Sequence, residues 1–206
     1  SNAVDNHCRG YGTTCIKVKF TPDRVVVWNN GRSVPFDDLN GVPTPTAIFG
    51  QLRSGSNFDD SEKRQTGGRN GYGVKLVNIW STAFKITIVN SGKKFCQRFS
   101  DNMRKVHKHR IASASGAKDS VCVEYTPDFQ RLGVEKFTSD DIALMAKRAL
   151  DAVLCYGIDV RVNGKRVFKT PLQYLKSLCK TPPLVSEGKV WTVAVYPLSL
   201  IHISEP

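Results

Sequence analysis

The stretch QTGGRNGYGVKLVNIWST, residues 65–82, sets Gly67, Gly68, Gly71 and Gly73, and then Lys75, around the start of a short apolar run. Glycines at a helix start let backbone N–H groups approach a phosphate closely, because no side chain intervenes and the helix end carries partial positive charge. Two familiar phosphate loops do not fit. A dinucleotide fingerprint needs G-x-G-x-x-G directly after a strand, whereas the order here is Gly68-x-x-Gly71-x-Gly73 after a hydrophilic loop. A P-loop needs G-x-x-x-x-G-K-[ST]; Gly68 and Gly73 have the separation, but Val74 stands where the lysine must be and Lys75 comes one residue late. Taken alone, the stretch reads first as a structural turn and second as a phosphate cradle.

Two further polar clusters could act with it. NNGRSVP at 29–35 sits at the exit of a hairpin, and SNAVDN at 1–6 places Asn2 and Asn6 four residues apart, on one face of a helix. The chain of 206 residues carries a formal charge of +12, which favours polyanionic partners such as nucleic acid, nucleotides or acidic lipid. The densest basic cluster, Arg104, Lys105, His107, Lys108, His109 and Arg110, reads first as a solvated loop and second as a phosphate-contacting patch. Six cysteines without a C-x-x-C pair argue against a zinc site or redox motif and for free thiols. No apolar run approaches the roughly 20 residues needed to span a bilayer, so no membrane partner is expected.

The elements that must position these residues follow from periodicity. CIKVKF (15–20) alternates apolar and basic residues, and with TPDR and VVVW it predicts an antiparallel hairpin. GVPTPT (41–46) reads as a stiff connector, and FDDSEKRQ as a surface loop leading into the glycines. VKLVNIW predicts a helix; FKITIV, with Phe84, Ile86 and Ile88 on one face, predicts a strand that NSGK turns into KFCQRF. VCVEY is a further strand. Ser139, Asp140 and Asp141 open a helix whose Ile142, Met145, Ala149 and Val153 share a core face, and DVRVNGKRVF is a hairpin turning at Asn163-Gly164. Hairpins separated by a few helices predict an α+β two-layer sandwich, a mixed or antiparallel sheet with helices on one face.

On NAVDN (2–6), WNNGRSVP (28–35), the block at 48–82 that begins IFGQLRSGSNFDDSEKRQ and ends in the stretch above, and FSDNM (99–103), the chain resembles the N-terminal ATPase region of eukaryotic-type (type IIA) DNA topoisomerase II, within the gyrase, chaperone, histidine-kinase and MutL (GHKL) group. The likeness extends more weakly through YLKSL, at residue 178. It implies a Bergerat ATPase fold, ATP and Mg²⁺ as ligands, duplex DNA as partner, homodimerisation in the full-length protein, and a nuclear address, with organellar or viral parents as alternatives. It assigns Asn2 to the metal and Asn29 to the adenine. Asn6 is added to the nucleotide site, and Gly55, Ser56 and Asn57 match the segment that meets sugar and phosphates. Gly68, Arg69, Asn70, Gly71, Tyr72, Gly73, Val74 and Lys75 match a phosphate lid, and Ser33 stands where the family more often has glycine.

The resemblance further implies that the general-base glutamate falls before residue 1 and that a transducer lysine would follow residue 206. The expectation is therefore an ATPase domain over 1–180 lacking its N-terminal part, the start of a transducer over 181–197, a non-native tail over 198–206, and nucleotide binding without turnover. A mismatch-repair or chaperone ATPase of the same group, or a DNA-binding module without nucleotide, are the competing readings.

Overall fold

A computed structural model of the chain describes residues 2–39, 41–52, 71–178, 181–188 and 191–196. In chain order the elements are α1 (Asn2–Cys8), β1 (Cys15–Phe20), β2 (Val25–Asn30), β3 (Asp38–Leu39), β4 (Val42–Pro43), α2 (Thr44–Gly50), α3 (Gly73–Ile79), β5 (Ser81–Asn90), β6 (Lys93–Ser100), β7 (Lys105–Val106), β8 (Arg110–Ser113) and β9 (Ser120–Pro127). They continue with α4 (Phe129–Leu132), α5 (Ser139–Tyr156), β10 (Asp159–Val162), β11 (Lys165–Arg166), α6 (Pro171–Leu178), β12 (Leu184–Glu187) and β13 (Thr192–Val195).

Among the described residues nine strands form one sheet in the order β11-β10-β1-β2-β9-β5-β6-β7, with β8 also on β6. The β1–β10 pair is parallel and the other pairs are antiparallel, which is the mixed α+β sandwich that the hairpin pattern predicts. Register explains where the core lies. Ile16 faces Val160 on one side and Asn29 on the other; Asn29 faces Val121, Val121 faces Ile88, and Ile88 faces Phe95. Directly opposed residues point to the same side of a sheet, so this row lines the face that the helices cover. Over one half α1 and α5, the latter through Val153, close on Ile16, Val18 and Val160; over the other Phe49 of α2 and Val74 and Val77 of α3 close on Phe84, Ile86, Ile88, Phe95 and Phe99.

The α5 face holds as its periodicity predicts: Ile142, Met145, Ala149 and Val153 all pack on the first cluster. A reciprocal cap starts that helix, Asp141 N–H donating to the Thr138 hydroxyl and Thr138 N–H to the Asp141 carboxylate. The Asn163-Gly164 turn takes φ of 48° and 83°, and Asn163 Oδ1 accepts from Phe20 N–H at 2.8 Å, tying the turn to β1.

Two expectations need correction. GVPTPT is not a connector: Val42 and Pro43 form β4, and Thr44 to Thr46 open α2. Pro45 lies in the first turn of that helix, where a missing N–H removes no intrahelical bond. Nor is the Arg104–Arg110 cluster a plain loop, because Lys105–Val106 and the strand starting at Arg110 both pair with β6. Near the C-terminus β13 pairs with β12 in a separate two-stranded sheet. Residues 198–206, FDDSEKRQ (58–65), Cys179 and the candidate positions Gly55, Ser56, Asn57, Gly68, Arg69 and Asn70 lie outside the described residues.

Candidate functional site

The described candidates sit on three elements: α1 over the first core cluster, the end of β2 with the loop after it, and the start of α3 over the second cluster. Asn2 and Asn6 are on α1, as their spacing predicts, with Asn2 exposed and Asn6 half-buried. Asn6 Nδ2 donates to the Arg32 carbonyl at 3.1 Å, and Tyr11 N–H donates to the Asn6 carbonyl at 2.9 Å. Arg32 N–H donates to the Tyr11 carbonyl at 2.7 Å, and the Arg32 guanidinium lies 4.8 Å from the centre of the Tyr11 ring. Helix α1 is thereby fastened to the loop that leaves β2.

Asn29 is the polar member of the otherwise apolar row described above, 8% exposed, and its Nδ2 donates to the Asn30 carbonyl at 3.0 Å. Its neighbour is structural: Asn30 Oδ1 accepts from the N–H groups of Thr14 and Cys15, and its Nδ2 donates to the Thr14 hydroxyl. The fully buried Thr13 gives its hydroxyl proton to the Asn30 carbonyl, while His7 Nδ1 donates to the Thr13 carbonyl at 2.7 Å, which fixes the proton on Nδ1. Gly31 passes so close that a Cβ would lie 2.6 Å from Thr13 N, and its φ is +102°, so only glycine fits. Ser33 is buried and donates its hydroxyl to the Val89 carbonyl at 2.6 Å, accepting from Asn90 Nδ2 at 3.0 Å.

Over the second cluster Gly71, with φ +63°, and Tyr72 lead into Gly73 and α3, which contacts β5 and β9. Val74 packs into the phenylalanine cluster. Lys75 is 2% exposed, and burial pulls its ammonium pKa below the ordinary lysine value. Three residues on, the same helix face carries fully buried Asn78, whose Nδ2 donates to the Phe49 carbonyl at 3.0 Å and whose Oδ1 has no partner among the described residues. Thr13, Asn30 and Asn78 escaped sequence reasoning because each is bonded to residues far away in sequence.

Among the described residues no three His, Cys, Asp or Glu side chains converge on a cation site, no helix is long and apolar enough to cross a membrane, and five cysteines are free thiols.

The sheet topology with its one-sided helical layer defines the ATPase-region fold of type II topoisomerases. The crystal structure of the ATPase region of Saccharomyces cerevisiae topoisomerase II superimposes with a TM-score of 0.86 at 33% identity, over 94% of this chain and 55% of that one. The ATPase and transducer domains of Balamuthia mandrillaris DNA topoisomerase II give 0.86 at 32%, over 94% and 52%. DNA topoisomerase 2-beta from Mus musculus and from Homo sapiens are each 42% identical to the chain over 173 residues, and 2-alpha from Gallus gallus likewise. No family model matches. The chain belongs to the eukaryotic DNA topoisomerase II family, in its ATPase region; the match covers 81% of this chain and about a tenth (11%) of the length of those curated relatives. These relatives support the topoisomerase reading over a mismatch-repair or chaperone ATPase.

Proposed function

We propose that the chain is the ATP-binding and ATP-hydrolysing region of an ATP-dependent type II DNA topoisomerase, whose nucleotide-driven closure as a homodimer holds a duplex for passage through a double-strand break. The observation that carries this reading is Asn29: a carboxamide on an apolar sheet row, at the mouth of a loop braced to α1, can both donate to and accept from a base edge. Adenine pairs with Asn29 in this reading. Asn6 and Asn2 border the phosphates from α1, and Gly68 to Lys75 cover them, with Gly55 to Asn57 toward the sugar.

A divalent ion here would depend on phosphate oxygens, since the described residues offer no carboxylate cluster; one neutral amide oxygen from Asn2 beside them is a donor set that suits Mg²⁺. The ion would supply charge neutralisation at the phosphates. We place the ATPase domain over 1–180 and the beginning of a transducer from 181, supported by the separate β12–β13 sheet that Tyr196 ties to α6 through the Leu175 carbonyl at 2.8 Å. A nuclear address belongs to the same reading, on the strength of the eukaryotic relatives.

Calorimetric titration of a non-hydrolysable ATP analogue tests it. Saturable binding with one nucleotide per chain, dependent on Mg²⁺ and at least about tenfold tighter than for the guanine analogue, is expected, a tenfold ratio being about 1.4 kcal/mol. Equal binding of both bases, or none, would overturn the assignment of the site.

A further inference from the structure

The helices leave the other face of the main sheet uncovered among the described elements, and we propose that this open face is a contact surface for the sugar-phosphate backbone of duplex DNA. The register that sends apolar residues to the helical side sends cations to the open side. One cross-strand row begins with Arg161 on β10 and Lys17 on β1, passes Trp28 on β2, and ends at Arg110 on β8; the next carries Lys19, Lys85 and Arg98. At strand spacings of about 4.8 Å, the six intervals from β10 to β8 spread this charge over roughly 29 Å. Part of the face is an open hollow of about 1230 Å³ bordered by Lys85, Arg98 and Arg110. Part of the basic cluster singled out in the sequence, His107, Lys108, His109 and Arg110, lines it.

Three carboxylates near this face do not neutralise it: Asp23, at the edge of the hollow, accepts from the Thr21 hydroxyl at 2.8 Å, and the other two are already shared between cations. Glu124 is shared by Arg24 at 2.9 Å and Lys85 at 3.9 Å, and Asp159 by Arg161 at 3.3 Å and Arg166 at 2.8 Å. Among the described residues Lys17, Lys19, Arg98 and Arg110 have no carboxylate partner. Lys17 lies over the Trp28 ring at 4.4 Å, which holds its ammonium in place above the sheet.

A partner for such a surface must present many negative charges over a broad extent. Duplex DNA carries one charge per ~1.7 Å of its axis, and cations that replace its condensed counterions bind it with a steep salt dependence. An acidic peptide would be fixed by cations gathered along one line, whereas the cations here are dispersed across seven strands, over the breadth that a duplex presents. Among the described residues the cations stand on strands, with no helix on this face to enter a groove, so in this proposal contacts go to phosphates and carry no base readout. The nucleotide reading concerns the opposite face, so either can fail without the other.

The test is fluorescence anisotropy of the purified chain with a labelled duplex over a KCl series. A triple variant, Lys19→Gln, Arg98→Gln and Arg110→Gln, is compared with a charge-matched control on the helical side, Lys147→Gln, Arg148→Gln and Lys176→Gln. The open-face variant should lose about tenfold or more in affinity, and its log K against log[salt] slope should flatten by about 0.9 per contact removed, with the control close to wild type. An unchanged thermal midpoint and unchanged ATP-analogue binding confirm that the variant is folded. Equal losses in both variants would mean a diffuse charge effect and overturn the proposal, as would polyglutamate or anionic vesicles binding this face as tightly as the duplex.

Discussion

The Ser33 hydroxyl reaches the Val89 carbonyl across 56 residues of sequence, at 2.6 Å, and fastens the loop after Asn29 to the far end of β5. Asn90 adds a second bond to the same oxygen. This serine thus anchors the loop to the sheet. Ser33→Ala should cost about 1–3 kcal/mol in urea denaturation, because the Asn90 amide and the Val89 carbonyl lose a partner inside the protein. Ser33→Gly should cost at least as much, since it also frees the unfolded backbone. Midpoints unchanged in both variants would show that the hydroxyl bond is dispensable.

Asn29 sets stability against binding. Its row, from Val160 to Phe95, is apolar on both sides, so Asn29→Leu should leave the fold as stable as wild type or more so, the desolvation of a carboxamide having been removed. The same change should remove about 1–3 kcal/mol or more of ATP-analogue affinity, the loss expected when a buried base edge has no partner. Stability and affinity falling together would make Asn29 a structural residue only.

Much of this architecture is legible in the sequence. Alternation in FKITIV, the spacing of Ile142, Met145, Ala149 and Val153, and the Asn-Gly turn each follow from local periodicity, and each is seen. Helix α2 was hidden because Pro43 and Pro45 look like breakers, whereas one ends a strand and the other occupies a first turn, where proline is tolerated. The braces of the site, Thr13 to Asn30, Asn78 to Phe49 and Ser33 to Val89, span 17, 29 and 56 residues, and no local spacing encodes them. The open basic face was half visible: alternation puts Lys17 and Lys19 together, but only the parallel β1–β10 pairing brings Arg161 beside Lys17.

Lys75 gives stability a pH dependence of known sign. Burial lowers its folded pKa below the unfolded value, so between the two pKa values the unfolded chain binds more protons than the folded one. Stability contributed by this group therefore rises with pH through that window, up to the ordinary lysine value of about 10.4. Lys75→Met should abolish this increment. Urea midpoints of the two proteins measured from pH 7 to pH 10.5 should converge, or wild type should overtake, toward the alkaline end; a constant difference across the range would show that Lys75 titrates alike in both states.

Gly71 separates backbone conformation from side-chain bulk at the entrance to α3. Its φ of +63° lies in the left-handed region, which asparagine tolerates with little strain and a β-branched residue does not. If the Gly68–Lys75 segment covers the nucleotide phosphates with backbone N–H groups, the path through residue 71 must be kept and its side chain must stay clear. Gly71→Asn should then retain most of the ATP-analogue affinity, while Gly71→Val should lose it by about tenfold or more, a change of about 1.4 kcal/mol. Val74 and Val77 hold α3 in the phenylalanine cluster, so the helix beyond residue 73 should stay folded in both variants, with an unchanged circular dichroism melt. Calorimetry on the two proteins decides the matter: equal affinity in Gly71→Val and wild type would remove the segment from the phosphate site, and a loss in Gly71→Asn as large as in Gly71→Val would show that a side chain of any kind, rather than the backbone turn, is what the site excludes.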